Sequence, residues 1–211
     1  MNPIYSYQGK ITLPAYIGDT PILGIMAGTY EDKPSPNGLC RDNNHKNQIT
    51  HIFWDTSKGE PQLLRIGNSA FFGCQELTYV EFPDTLDYID SMAFANSAVG
   101  VDRIAVRYIS DSAWNSAIAN MPTLQIEASV QEIYSNAFSY IRSLKHVIIG
   151  REGQPSQLRN LPAENGLFVG YTEDITVYTD NVNSPEWQKA PFTDFSGWSG
   201  GIVPTVNIIA T

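Results

Sequence analysis

Apolar and polar positions follow two different rhythms along this chain. In "LTYVEFP", residues 77–83, Val80 and Phe82 fall on one side of an extended segment and Tyr79 and Glu81 on the other. That alternation predicts a strand. In "IDSMAFANS", residues 89–97, an isoleucine is followed by three residues, then Ala-Phe, then a short polar stretch. "IGNSAFFGC", residues 66–74, has the same form, "IYSNAF" from Ile133 is a third copy, and "IMAGTY" from Ile25 is a weaker one. Ile66 to Ile89 is 23 residues, and so is Ala70 to Ala93. Self-similarity at this period predicts a solenoid. The strand frame recurs as "LKHVIIG" from Leu144, "ITHIFW" from Ile49 and "VDRIAV" from Val101.

Each unit therefore has two halves. The strand half ends at Pro83, and "DTLDYIDSMAF" then turns Leu86, Ile89, Ala93 and Phe94 inward. Alanine suits a tight bend, and phenylalanine fills the space between coils. One unit cannot bury its own apolar edge, so units must stack and the ends need caps. Three stretches depart from the rhythm. Residues 31–48 are polar and rich in Pro, Asn and Gly, which predicts a loop. Residues 110–123 place Trp114, Ala117 and Ile118 at helical spacing behind Ser110 or Asp111 as a cap, which predicts a short helix stopped by Pro122. Residues 150–166 form a second insertion, and Ser184-Pro185-Glu186 has the form of a helix start.

The pattern L-x-x-[IV]-x-[FI]-P-x-x-[LV]-x-x-I-x-x-x-A-F resembles the BspA-type leucine-rich repeats of bacterial surface proteins. The match is close over residues 63–97 and again over 124–149. "ITLPAYIGDTPILGI" resembles a first repeat of that family with a short hairpin, and "ITVYTDNV" followed by "SPEWQKAPF" resembles its closing strand and Trp-bearing tail. The resemblance implies a mostly β fold with short helices, a right-handed leucine-rich-repeat solenoid of about 23 residues per repeat, interrupted by insertions. It implies a single domain over 1–211: a degenerate first repeat and polar insertion over 1–48, core repeats over 49–149, and a last repeat with its cap over 150–211. It also implies non-catalytic attachment to host proteins or to other cells.

Composition narrows the partners. Hydrophobic residues make up 42% and charged residues 17%, a globular balance. The net charge of −9 argues against nucleic acid, which needs clustered Lys and Arg. No apolar stretch is long enough to span a bilayer as a helix, so no membrane insertion is expected. The first residues lack a basic and then apolar leader, which leaves two expectations. One is a cell-surface or extracellular protein whose leader has been removed. The other is a bacteriophage virion protein, structural or receptor-binding, assembled in the cytoplasm. Cys40 and Cys74 make no disulfide framework, and Cys74, in a repeat slot, reads as a small buried apolar residue.

Chemical motifs are sparse. There is no nucleophile elbow, zinc-binding helix or phosphate loop, and no cofactor is expected. Cys40, Asp42 and His45 lie close in one loop, but they read as solvated polar residues and no metal is expected. Asp84, Asp87 and Asp90 invite a calcium reading, yet they flank inward Leu86 and Ile89 and read as a solvated edge. Trp187 and Trp198, with Phe192 and Phe195, read as cover for an open core end. Aligning the strand frames places His51, Tyr79, Arg103 and His146 in one outward column, and Phe53, Glu81, Ala105 and Ile148 in the next. A face of aromatic, His and Arg side chains suits a protein or glycan receptor, or a neighbouring virion subunit. His51, Phe53, Tyr79, Glu81, Arg103 and His146 are the candidate binding residues. The weaker alternative is a glycan hydrolase drawing on Glu60, Glu81, Glu127 or Glu132, which would need two carboxylates facing across a cleft.

Overall fold

The computed structural model describes residues 9–26, 29–30, 33–34, 49–159, 167–168, 174–183 and 205–211. The 35–48 part of the polar insertion, with Cys40, Asp42 and His45, lies outside these residues, as do Ser184, Trp187, Phe192, Phe195 and Trp198. The described residues form a stack of coils built from short parallel strands.

The Ile of the repeated phrase makes one layer. Gly24–Ile25, Arg65–Ile66, Tyr88–Ile89, Tyr108–Ile109 and Glu132–Ile133 pair in parallel, with Ile25, Ile66, Ile89, Ile109 and Ile133 in one row. Three residues before each of the last four stands a buried apolar partner: Leu63, Leu86, Val106 and Val130. The strand frame makes the facing layer, in two stretches. Gly9–Pro14, Ile49–Asp55 and Tyr79–Val80 form one; Arg103–Ile104, Thr123–Ile126, His146–Ile149, Asp174–Thr179 and Thr205–Ala210 form the other. The expected opening hairpin is present as Tyr16–Ile17 against Thr20–Pro21. "ITVYTDNV" is not the closing strand, because Thr205–Ala210 adds in parallel beyond it.

Between the two layers each coil bends through the Ala-Phe phrase, and the backbone there follows a strict rule. Two positions per coil are left-handed. One is three residues after the Ile: Ser69, Met92, Ser112 and Asn136. The other is two residues after the aromatic: Gly73, Asn96, Ser116 and Tyr140. This makes the amides alternate. In the first such turn Ala70, Phe72 and Cys74 donate within the coil, to Gly67, Ser69 and Phe71, while Ser69, Phe71 and Gly73 donate to Ser91, Ala93 and Ala95 of the next coil. The following coil repeats this with Met92, Phe94 and Asn96 donating to Asp111, Ala113 and Asn115.

No helix occurs among the described residues, so the helix expected over 110–123 is corrected. The segment is another copy of the phrase, Ile109-x-x-x-Ala113-Trp114, with tryptophan in the phenylalanine slot. Its spacing from Ile89 is only 20 residues, and Ala117 is buried because the turn folds it under, not because a helix presents it. The result is a continuous aromatic column. Phe71, Phe94, Trp114, Phe138 and Phe168 stack with successive centroid separations of 5.3, 4.7, 5.4 and 6.0 Å. The first four are at most 1% exposed. Such pairs add about 0.5–1.5 kcal/mol each beyond area burial.

Cys74 is also corrected. It is buried, but it is disulfide-bonded rather than a free apolar filler.

Phe94 touches rings on three sides, Phe71, Phe82 and Trp114. Phe94→Ala is expected to cost about 3–5 kcal/mol in a urea melt. Met92 is the one long unbranched side chain at its left-handed position, and it is 44% exposed. Met92→Gly is therefore expected to leave stability unchanged or raise it by up to about 1 kcal/mol, relief of strain offsetting the added chain entropy.

Candidate functional site

The outward positions of the strand layer divide into separate neighbourhoods. His51 and Tyr79 are register partners, as the column requires. Phe53 lies two residues along the same strand, on the same face. The three rings converge: His51 to Phe53 is 6.1 Å with nearly parallel planes, Phe53 to Tyr79 is 5.4 Å, and His51 to Tyr79 is 5.9 Å. Lys10, opposite His51 in the first strand, brings its ammonium 6.0 Å from the Phe53 centroid. Tyr79 is 43% exposed and the other two rings are half-buried. His51 Nδ1 is 2.8 Å from the Thr50 hydroxyl. A compact aromatic surface with one cation at its edge results, suited to a flat partner surface or a sugar ring.

The remaining expected residues do not join it. Glu81 is turned to its own strand neighbour: its carboxylate accepts from the Trp54 amide at 3.0 Å, and its carbonyl accepts from the Trp54 indole at 2.9 Å. Tyr79 and His146 lie in separate stretches of the strand layer, and Arg103 is not in the row of His146 either. It pairs in register with Gln125, which pairs with Ile148, whereas His146 pairs with Thr123 and Asp174. The cause is a shortened coil. The segment before Ile109 lacks the Pro-x-x-Leu of Pro83–Leu86, so Val106 takes the slot of Leu86 and Ile104 is drawn back opposite Ile126. The slip is two residues, so the face is kept and only the column is lost. Arg103 then reaches Glu127 at 2.5 Å, and that carboxylate is 6% exposed. His146 faces Asp174 at 3.1 Å in the open. Ala105 and Ile148 contribute no polar group.

A second ladder was not visible as a candidate in the sequence. The residues just before the Ile row include Tyr88 and Tyr108, whose rings stack at 4.6 Å. Arg65 lies over Tyr88 and Arg107 over Tyr108, each at 5.5 Å from the centroid. Arg65 is held bidentate by Asp90 at 2.6 and 2.7 Å, and Arg107 bidentate by Asp87. Each carboxylate holds its guanidinium above the ordinary arginine value through these hydrogen bonds. The expectation of a solvated aspartate edge is thereby corrected: Asp87 and Asp90 are arginine partners. The signal available was the x-Ile dipeptide, Arg65, Tyr88, Tyr108 and Glu132 at successive coils. Because the ring faces are covered by each other and by arginine, this ladder offers no free stacking platform.

The carboxylates named for hydrolysis are mostly engaged. Glu127 holds Arg103, and Glu132 accepts from the Tyr134 hydroxyl at 2.6 Å. Glu60 and Glu81 share a groove of about 290 Å³ floored by Trp54 and Phe82, with Glu81 committed to the Trp54 amide. Among the described residues no group of His, Cys, Asp and Glu is placed to hold a metal ion.

Residues 55–155 match the family model of the BspA type leucine rich repeat region, in six copies. The repeat region belongs to the BspA-type leucine-rich-repeat family. The BspA-type array thus includes the Trp114 coil and the Tyr88–Tyr108 ladder, while His51 and Phe53 of the aromatic surface lie just before its matched part and Lys10 well before it. A leucine-rich repeat protein from Bacteroides ovatus ATCC 8483 is similar over 95% of this chain and 70% of its own, at 11% identity and a TM-score of 0.33, too low to bear on fold or function. No curated protein matches the chain.

In this BspA-type array Arg103 neutralises a buried carboxylate. Arg103→Ala is expected to destabilise by about 1–3 kcal/mol, because Glu127 is left without its partner. Adding Glu127→Gln should restore most of that loss, a comparison read from urea midpoints.

Proposed function

We infer that this protein is a non-catalytic attachment module, holding a protein or glycan receptor at a cell surface through the aromatic face of His51, Phe53 and Tyr79. The observation that carries the reading is the convergence of three half-exposed rings within 6.1 Å beside Lys10, on a rigid parallel sheet. Aromatic groups with polar handles dominate contact energies at interfaces. The engagement of Glu81, Glu127 and Glu132 in hydrogen bonds and ion pairs supports a binding role over hydrolysis. The disulfide at Cys74 favours an oxidising location outside the cell over assembly in a reducing cytoplasm. The reading needs no cofactor, metal, nucleic acid or membrane insertion.

His51→Ala combined with Tyr79→Ala is the test. Surface replacements usually shift stability by about 0.5 kcal/mol or less. The double variant should keep its urea midpoint to about that extent while several-fold less labelled protein is retained on receptor-bearing cells. Undiminished retention would remove this face from the attachment surface.

A further inference from the structure

A groove of about 630 Å³ runs along the turn edge of the stack, away from the aromatic face of His51. Two rows of equivalent positions make its rim. Asn96, Ser116 and Tyr140 are the second left-handed residue of three successive coils, and Ile118 and Arg142 stand two residues further on in their coils. We propose that this groove binds a carboxylate-bearing saccharide, such as a uronic-acid chain laid along the stack.

Three observations lead there. The first is an exposed aromatic side chain on a strained backbone. The slot of Tyr140 is filled by Gly73, Asn96 and Ser116 elsewhere, residues that adopt positive φ readily or are small. Tyr140 holds φ 60 and is 52% exposed. A bulky residue kept at a costly φ, with half its surface in water, points to use of the ring itself. The second is charge. Among the described residues the groove lining contains no carboxylate, although the chain carries 22 acidic against 13 basic residues. Arg65, Arg103 and Arg107 each hold a carboxylate, whereas Arg142 has no such partner among the described residues. An unpaired guanidinium beside a concave surface is shaped for bidentate capture of a carboxylate. The third concerns the backbone. The amides of Asn96, Ser116 and Ile118 are spent on Asn115, Ser139 and Ser97. These three amides are not free to pair with an extended peptide, so recognition along this part of the groove comes from side chains. The Tyr140 ring and Ile118 suit the apolar face of a sugar, the Asn96 amide its hydroxyls, and Arg142 its carboxylate. Coils repeat about every 4.8 Å, close to the advance of one ring in an extended saccharide.

The test is a glycan array carrying neutral, uronic-acid and sialylated chains, probed with the wild-type protein, Arg142→Gln and Tyr140→Gly. Glycine accepts φ 60, so Tyr140→Gly removes the ring without threatening the fold, and its urea midpoint should not fall. The expected result is wild-type signal confined to carboxylate-bearing glycans, with apparent affinity reduced about tenfold or more in each variant. The proposal is overturned if no carboxylate-bearing glycan is retained, if neutral chains bind equally, if either variant binds as wild type, or if soluble poly-glutamate displaces the glycan as well as free oligogalacturonate does. None of these variants touches the His51 face, so loss here and loss of cell attachment are read separately.

Discussion

Every coil in this molecule depends on its neighbours to satisfy its backbone. A strand only two residues long cannot bury its amides unless the next coil supplies carbonyls, and the bend through the Ala-Phe phrase has the same difficulty without being a strand at all. Its solution is the alternation of left-handed residues, which turns every second amide toward the following coil and leaves the others to close short loops within their own. The rest of the repeat follows from that geometry. Ala70, Ala93, Ala113 and Ala137 are small and buried because two bends touch there. The next residue is aromatic because the coils then leave a slab-shaped space that a flat ring fills from one coil to the next.

The repeat was legible in Ile66, Ile89 and Ile133 because the phrase after each is nearly the same, and burial of Phe71, Phe94 and Phe138 followed from their shared slot. The coil between them was not legible. Trp114 hides the phenylalanine slot, and Ala117 and Ile118 fall at distances from it that a helix also produces. The hydrogen bonds of Ser112, Trp114 and Ser116 to Ser135, Ala137 and Ser139, with the left-handed backbone at Ser112 and Ser116, separate the two readings, and those partners lie 23 residues away. Half of the proposed surface was likewise readable. His51, Phe53 and Tyr79 share a face because alternation and register agree there. Arg103 fell out of its column because a missing Pro-x-x-Leu moves the register by two, a change that preserves every inward and outward assignment and so leaves no trace in the pattern of polarity.

The exposed aromatic residues show why exposure alone is a poor guide to binding. Tyr88 and Tyr108 are visible at the surface, yet their ring faces are closed by each other and by arginines that are themselves held by aspartates. They stiffen the Ile layer from outside as the phenylalanine column does from inside. Around His51 the strands carry rings without such a clamp, and a surface is left over. The difference lies in the residues two or one positions away, Asp90 and Asp87, which fix the arginines over the tyrosines.

The bonds that join the coils lie nearly parallel to the long direction of the stack, and that has a mechanical consequence. A load applied through the two ends pulls along those bonds, so each interface opens like a zip, a few bonds at a time, instead of shearing all at once. Each coil that comes free pays out about 20 residues, roughly 70 Å of extended chain. A stack of this kind yields in steps and lengthens several times over before the covalent chain is taut, so a sudden load is absorbed as extension.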